Sequence, residues 1–214
     1  DDATRVIALR HGETAWNVVT RIQGQLDIGL NERGRKQAAR VASALAGEGL
    51  AAVYASDLAR ARDTGAAVAR EAGIALRTDA GLRERGFGVF EGLTFAEIEH
   101  RYPDDARRWR RREADFGPEG GETLAAFYRR SVEAVAALAA RHRGQHIAVV
   151  AHGGVLDALY RAATRVALDA PRTWSIGNAS INRLLASEAG FVLVGWADEA
   201  HLEATALDEF GARA

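Results

Sequence analysis

The hydrophobic and polar positions of the chain follow two periods, one typical of buried strands and one typical of amphipathic helices. Continuous short apolar runs predict strands that are buried on both faces, at residues 5–9, 51–55, 74–77 and 147–151. Apolar residues at helical spacing predict helices over Asn31–Gly47, from the N-cap pair Ser56-Asp57 to Ala72, over Thr123–His142 and from Gly153 to Thr164. Strands therefore alternate with helices along most of the chain.

Two further runs, at residues 180–187 and 191–196, flank Glu188-Ala189-Gly190 and predict a closing hairpin. Alternating strands and helices predict a mainly parallel sheet with helices on both faces. The expected fold is a three-layer α/β/α sandwich, with at least one antiparallel strand from the hairpin.

The sequence predicts one domain over residues 1–214, because no repeat and no Pro/Gly/Ser-rich linker divides it. The segment at about 81–121 breaks the strand–helix rhythm and gathers charge. It contains a helical pattern over Thr94–Arg112 that Pro103 interrupts. We expect this segment to be a helical insertion that covers the active site.

Composition excludes several classes of protein. The 28 basic and 29 acidic side chains give a formal charge of −1, which argues against a nucleic-acid partner. The chain has no cysteine, so disulfides, thiolate zinc sites and a cysteine nucleophile are excluded. No apolar run is long enough for a membrane span, and the first residues lack the pattern of a secretory signal. We expect a cytoplasmic protein without a membrane partner.

Candidate chemistry gathers where the predicted strands end. Arg10 and His11 follow the first strand, His152 follows the strand at 147–151, and Arg60 lies one turn inside the helix after the second strand. The carboxyl ends of parallel strands meet at one edge of a sheet, where ligands of open α/β folds bind. Arginine forks match phosphate oxygens, and helix N-termini favour anions. These residues predict a phosphate-binding rim that carries two histidines.

Acid–base chemistry needs a carboxyl group, and Glu84 in a glycine-rich loop is the candidate. Structural roles compete with these assignments, since a single histidine after a buried strand more often packs than reacts. Glu13 could join the histidines as a metal ligand, but the spacing of a metal site is missing. Arg107–Arg112 is either a solvated face or a contact for an anionic substrate.

The sequence around these residues resembles the histidine phosphatase superfamily, in its phosphoglycerate mutase-like branch. Arg10-His11-Gly12-Glu13-Thr14, with Asn17 after it, is similar to the signature of that family. The other similar blocks are Ser56–Ala61 with Thr64, Leu82–Glu84 with Phe87–Gly92, Gly121-Glu122-Thr123, Ala151–Gly154 and Asn178–Asn182. These blocks occur in the family's order and extend over essentially the whole predicted fold.

The resemblance implies a role for each matched residue. His11 would attack phosphorus and form a phosphohistidine, while Arg10, Arg60 and His152 would hold the phosphoryl oxygens. Glu84 would protonate the leaving oxygen and then take a proton from the attacking water. The other phosphate- or substrate-binding residues implied are Asn17, Gln23, Gly24 and Gly153. No metal and no cofactor would be required.

Three outcomes of this chemistry are open, and the sequence favours hydrolysis of a small phosphorylated metabolite. Phe87 and Phe95 stand where cofactor-dependent mutases have a tyrosine and a lysine, and a long stretch of the mutases before Gly121 is missing. The alternative is a phosphoglycerate mutase that uses 2,3-bisphosphoglycerate, which Trp109-Arg110-Arg111 keeps open. A non-catalytic phosphate sensor ranks lower, because His11, His152 and Glu84 are all present.

Three structural expectations complete the interpretation. Apolar residues would give the pocket a partly hydrophobic lining; they are Val18, Ile22, Phe87, Phe90 and Phe95. The closing hairpin could supply an edge for a homodimer. The tail over His201–Ala214 either folds over the site as a lid or frays.

Overall fold

The computed structural model describes residues 2–203 as a six-stranded sheet between two layers of helices. The strands are β1 (Thr4–Arg10), β2 (Leu50–Ala55), β3 (Leu76–Thr78), β4 (His146–Ala151), β5 (Ile181–Ser187) and β6 (Gly190–Asp198). The α-helices are α1 (Ala15–Val18), α2 (Glu32–Ala44), α3 (Ala59–Glu71), α4 (Phe95–Arg101), α5 (Pro103–Arg110), α6 (Leu124–Ala139) and α7 (Gly153–Thr164). Most of the predicted tail, at 204–214, lies outside the described residues.

The strand order is β3-β2-β4-β1-β5-β6. The first four strands in this order run parallel, whereas β5 is antiparallel to both β1 and β6. The predicted α/β fold, with a mainly parallel sheet and an antiparallel hairpin strand, is confirmed. The central strands β4 and β1 are therefore parallel neighbours, and their carboxyl ends lie side by side.

The sheet is buried on both faces because successive strand residues point in opposite directions. Along β1, Val6 and Ala8 pack in one hydrophobic cluster with Phe127 of α6 and Leu156 of α7. The other strand face packs against α2 and α3, through residues that include Ile7, Leu9, Val41 and Val68. This two-sided burial explains the continuous apolar runs of the sequence.

One local expectation was wrong. The predicted N-cap pair Ser56-Asp57 does not cap α3: the helix begins at Ala59, and Leu58 occupies its N-cap position. The Ser56 hydroxyl accepts the N–H of Leu58, and Asp57 instead forms a salt bridge with Arg83 at 2.7 Å. A tertiary ion pair thus takes the carboxylate that local capping would have used.

The helical segment between β3 and α6 forms a small core of its own. Pro103 interrupts the helical pattern as predicted, because it occupies the first position of α5. Phe90, Ile98, Ala106 and Phe116 are buried together in this core. That this segment covers the active site stays a prediction at this point.

Candidate active site

The two candidate histidines lie next to each other at the carboxyl edge of the sheet. Arg10 pairs with Ala151 in the register of β1 and β4, so the residues that follow them, His11 and His152, end neighbouring strands. Their ring centroids are 5.2 Å apart. His11 is 3% exposed and His152 is completely buried. The topology therefore brings together two residues that are 141 positions apart in the sequence.

The backbone fixes the protonated nitrogen of His11. Its Nδ1 lies 2.7 Å from the carbonyl oxygen of Gly12, which can only accept a hydrogen bond. The neutral ring therefore carries its proton on Nδ1 and leaves a lone pair on Nε2. Gly12 itself allows a close approach of two chain segments, since a β-carbon there would lie 2.4 Å from the carbonyl oxygen of Gly34.

The surroundings of His11 keep its ring neutral. Burial lowers the pKa of His11 well below 6.5, and the charges of Arg10 and Arg60 lower it further. Burial is also the main cause that lowers the pKa of His152, followed by the charge of Arg60. A neutral imidazole is the form that can act as a nucleophile.

We expect His11 to stay neutral at pH values where a histidine in a flexible peptide is mostly protonated. NMR titration of ring-labelled protein, with a histidine peptide as reference, should place the His11 midpoint clearly below 6.5. The unfolded chain then binds more protons than the folded chain as pH falls below 6.5, so the free energy of unfolding decreases in that range. A His11 midpoint at or above 6.5 would contradict the assignment of a neutral nucleophile.

Arg10 and Arg60 converge on the histidines and use only part of their donors within the protein. Arg10 donates from Nη1 to the carbonyl oxygen of Ile176 at 2.6 Å. Arg60, which is 1% exposed, donates to the carbonyl oxygens of Gly24 at 2.7 Å and Leu26 at 2.9 Å. Burial lowers the pKa of both guanidinium groups, but their ordinary value is high enough that both stay charged.

Several buried polar atoms at this rim have no hydrogen-bond partner among residues 2–203. They are Nε of Arg10, Nε of Arg60 and both ring nitrogens of His152. Unsatisfied buried donors are costly, and two of these belong to cations. A tetrahedral oxyanion such as a phosphoryl group would accept hydrogen bonds from the two Nε–H groups and from the one protonated ring nitrogen of a neutral His152.

Glu84 reaches the same rim from the helical segment. Its Oε1 accepts the N–H of Arg85 at 2.8 Å, and its Oε2 accepts the N–H of Gly154 at 3.0 Å, in the first turn of α7. The charge of Glu84 also raises the pKa of Arg10 and Arg60, which places the carboxylate near both guanidinium groups. The candidate acid–base group therefore lies beside the candidate anion site.

The remaining predicted site residues differ in how they take part. Asn17 accepts the N–H of Thr14 at 2.9 Å through Oδ1, as part of the capping box of α1. Gln23 accepts a hydrogen bond from the Thr14 hydroxyl at 2.9 Å, and Gly24 contributes the carbonyl that holds Arg60. The fourth, Gly153, is adjacent to Arg10, because a β-carbon on it would lie 3.6 Å from Arg10 Nε.

Asn178 contacts two of the predicted site residues, although the sequence did not predict a role for it. Its Nδ2 donates to the carbonyl oxygen of His11 at 3.1 Å and lies 3.3 Å from Oδ1 of Asn17. These contacts occupy Asn17 Oδ1, so that the Asn17 amide has its Nδ2 donors left for a ligand. The only sequence signal was the motif Asn178–Asn182, whose resemblance carried no assigned chemistry.

The arginine run mostly forms surface ion pairs. Arg107, Arg108 and Arg110 pair with carboxylates of the same helical segment, and all three are exposed. Arg112 differs, because it donates to Asp157 and to the carbonyl oxygen of Leu168. The solvated-face interpretation describes the first three residues, and Arg112 links the helical segment to α7.

The aromatic residues expected to line the pocket mainly build the small core. Phe90 is completely buried, and Phe87 packs against Trp109. Phe95 also packs against Trp109, with the two rings tilted by 42°, and Val18 is 63% exposed. Within residues 2–203 no group of three or more His, Cys, Asp and Glu side chains is placed to hold a metal ion.

The chain is similar to several proteins of known name. The sequence model of one protein family, the histidine phosphatase superfamily (branch 1), matches residues 6–199 of this chain. Two Arabidopsis thaliana proteins are similar, namely phosphoglycerate mutase-like protein 4 (38% identity, 98% of this chain and 92% of the relative) and a metal-independent phosphoserine phosphatase (35%, 94% and 84%). The solved structure of a mycobacterial glucosyl-3-phosphoglycerate phosphatase in complex with VO3 superposes with a TM-score of 0.80 (35% identity, 91% of this chain and 99% of that chain).

Proposed function

The chain belongs to the histidine phosphatase superfamily (branch 1), and within it we propose a metal-independent phosphomonoesterase that hydrolyses a small phosphorylated metabolite. The family predicted from the sequence is thereby confirmed. The observation that carries the proposal is the hydrogen bond from His11 Nδ1 to Gly12, beside unsatisfied donors of Arg10 and Arg60. It combines a nucleophilic nitrogen with a binding site for the group that it attacks.

In the first half-reaction, Nε2 of His11 attacks phosphorus while the bond to the ester oxygen breaks. The proton of a protonated Glu84 goes to that oxygen, so the leaving group departs as an alcohol. Arg10 and Arg60 stabilise the charge on the equatorial phosphoryl oxygens, as expected for a loose, in-line transition state. The product is a phosphohistidine with Glu84 as the carboxylate.

In the second half-reaction, water replaces the alcohol. Glu84 takes a proton from the water molecule while the water oxygen attacks phosphorus. The bond between phosphorus and His11 Nε2 breaks at the same time. Inorganic phosphate leaves and Glu84 is again protonated, so the cycle is balanced. The guanidinium groups supply the positive charge that a metal ion supplies in other phosphatases.

The names of the relatives support hydrolysis of small substrates. Two of them are phosphatases of phosphoserine and of glucosyl-3-phosphoglycerate. The mutase alternative is supported by the name of another relative, phosphoglycerate mutase-like protein 4. Against it, Phe87 packs its ring on Trp109 and has no hydroxyl to bind a substrate, and Phe95 offers no cation.

Finer features of the protein are part of the same proposal. We place it in the cytoplasm, consistent with the absence of cysteine. None of the helices in residues 2–203 is both long and apolar enough to cross a bilayer.

The insertion at about 81–121 would cover the site, since it contributes Glu84. A homodimer would use the edge strand β6, where Val192 and Val194 are exposed.

One assay separates the candidates. Purified protein in EDTA is incubated with 3-phosphoglycerate primed with 2,3-bisphosphoglycerate, and separately with a panel of phosphomonoesters that includes phosphoserine and p-nitrophenyl phosphate. We expect phosphate release to exceed formation of 2-phosphoglycerate. Isomerisation that outpaces phosphate release would identify a mutase, and phosphate binding without turnover would identify a sensor.

A further inference from the structure

The loop that carries Glu84 is attached to helix α6 by one charged pair. Arg130, in α6, donates from Nε to Glu122 Oε1 at 2.8 Å and from Nη2 to Glu122 Oε2 at 2.7 Å. This fork-on-fork geometry is the most directional that an ion pair offers. Thr123 is the N-cap of α6, and the Glu122 side chain turns toward the loop.

The same guanidinium group also binds the backbone before and at Glu84. Arg130 Nη1 donates to the carbonyl oxygens of Gly81 at 2.9 Å and of Arg83 at 3.0 Å, and Nη2 donates to that of Glu84 at 3.3 Å. Together with the two bonds to Glu122, these contacts use all five N–H donors of the side chain. A lysine has three donors on one nitrogen and could not reach the same set.

Glu122 holds the backbone on the other side of Glu84. Its Oε2 accepts the N–H of Gly86 at 2.8 Å, and its own N–H donates to the carbonyl oxygen of Gly86, also at 2.8 Å. Arg85 adds a third attachment, because its Nε donates to the carbonyl oxygen of Glu122 at 3.0 Å. The backbone is thus fixed at positions 81, 83, 84 and 86.

We propose that Arg130 and Glu122 are positioning residues for the general acid: they fix the backbone on both sides of Glu84 and thereby set the place of its carboxyl group. The proposal rests on the proposed function, in which Glu84 protonates the leaving oxygen. A general acid must lie within hydrogen-bond distance of the atom that it protonates. A displacement of 1 Å at such a group costs about 100-fold in rate.

A positioning role differs from a purely structural role in its dependence on the leaving group. An alkyl phosphate releases an alkoxide that must be protonated as the bond breaks, whereas p-nitrophenolate leaves without a proton. A misplaced Glu84 therefore slows the first reaction much more than the second. General destabilisation of the fold would lower both rates by the same factor.

The test compares Arg130→Lys with the wild type on 3-phosphoglycerate and p-nitrophenyl phosphate. The quantity measured is kcat/KM, because it reports the steps up to phosphorylation of His11 and excludes the shared hydrolysis step. We expect kcat/KM to fall about 10- to 100-fold on 3-phosphoglycerate and less than about 3-fold on p-nitrophenyl phosphate. Glu84→Gln, as reference, should show the same bias with a larger amplitude.

Arg129→Lys is the matched control, since Arg129 is the adjacent residue of α6 and is exposed. It should leave both kcat/KM values within about 2-fold of the wild type, the usual range for surface substitutions. If Arg130→Lys does not fold, Glu122→Gln gives the second test, because it keeps an acceptor for Arg130 but removes the charge. It should show the same bias with a smaller amplitude.

Equal losses on both substrates, or no loss on either, in the folded variant would overturn the proposal. Failure of the proposed function gives a different result, because the wild type would then release phosphate from neither substrate. A Glu84→Gln variant without bias toward the alkyl phosphate would refute the acid assignment itself. The three failures are therefore distinguishable in one set of measurements.

Discussion

Replacement of His11 by alanine is expected to lower the rate of phosphate release by at least about 10⁴-fold. A loss of this size is typical when an enzyme loses a nucleophile that works together with its neighbouring catalytic residues. The physical reason is specific to this ring. Its Nδ1 proton is held by the Gly12 carbonyl 2.7 Å away, which leaves the lone pair on Nε2. His152 makes no hydrogen bond within residues 2–203 through either ring nitrogen, so its tautomer is not fixed in this way.

The measurement combines turnover with a chemical label. After a short incubation with a ³²P-labelled phosphomonoester, wild-type protein should carry an acid-labile, base-stable label on His11, and the alanine variant should carry none. His100→Ala is the control, because His100 is an exposed residue of α4. A label mapped to His152 would reverse the roles assigned to the two histidines.

The sequence was sufficient to predict the fold and the rim of the site because both depend on local patterns. Apolar runs ended at Arg10-His11 and at His152, and parallel neighbours bring their carboxyl ends together. The strand order places β4 beside β1, and this order brings His11 and His152 together. A continuous run at the centre of a parallel sheet is among the clearest signals in a sequence.

The features that the sequence did not predict depend mostly on contacts between segments that are distant in the chain. Asn178 lies 167 positions from His11 and binds its carbonyl oxygen, which no local pattern reveals. The pair of Asp57 with Arg83 removed an expected helix cap for the same reason. Helix α1 was missed because four residues are too few for a helical period, although Thr14 and Asn17 form its capping box.

Gly154→Ala is the second substitution for which we expect a large loss of activity. A β-carbon at Gly154 would lie 2.2 Å from Oε1 of Glu84 and 3.0 Å from the ring of Phe127. The aromatic ring is buried in the core, so the carboxylate is the group that must move. Gly154→Ala should therefore displace Glu84 and lower kcat/KM on an alkyl phosphate about 100-fold.

Stability and activity should separate in this variant. Alanine favours the helix by about 1 kcal/mol over glycine, which offsets part of the cost of the displaced contact. We therefore expect Gly154→Ala to fold, with a midpoint of thermal unfolding close to that of the wild type. His11 should still become phosphorylated by p-nitrophenyl phosphate, since that leaving group needs no proton.

Gly86→Ala is the matched control, because Gly86 lies in the same loop as Glu84 but has room for a methyl group. The nearest atoms to a β-carbon there are 3.6 Å away, which is ordinary van der Waals contact. Alanine also keeps the N–H that donates to Glu122. If Gly154→Ala and Gly86→Ala were equally active on the alkyl phosphate, the 3.0 Å hydrogen bond between Glu84 and the start of α7 would have no catalytic importance. If only Gly154→Ala loses activity, the absence of a side chain at position 154 is what allows the acid to reach the leaving oxygen.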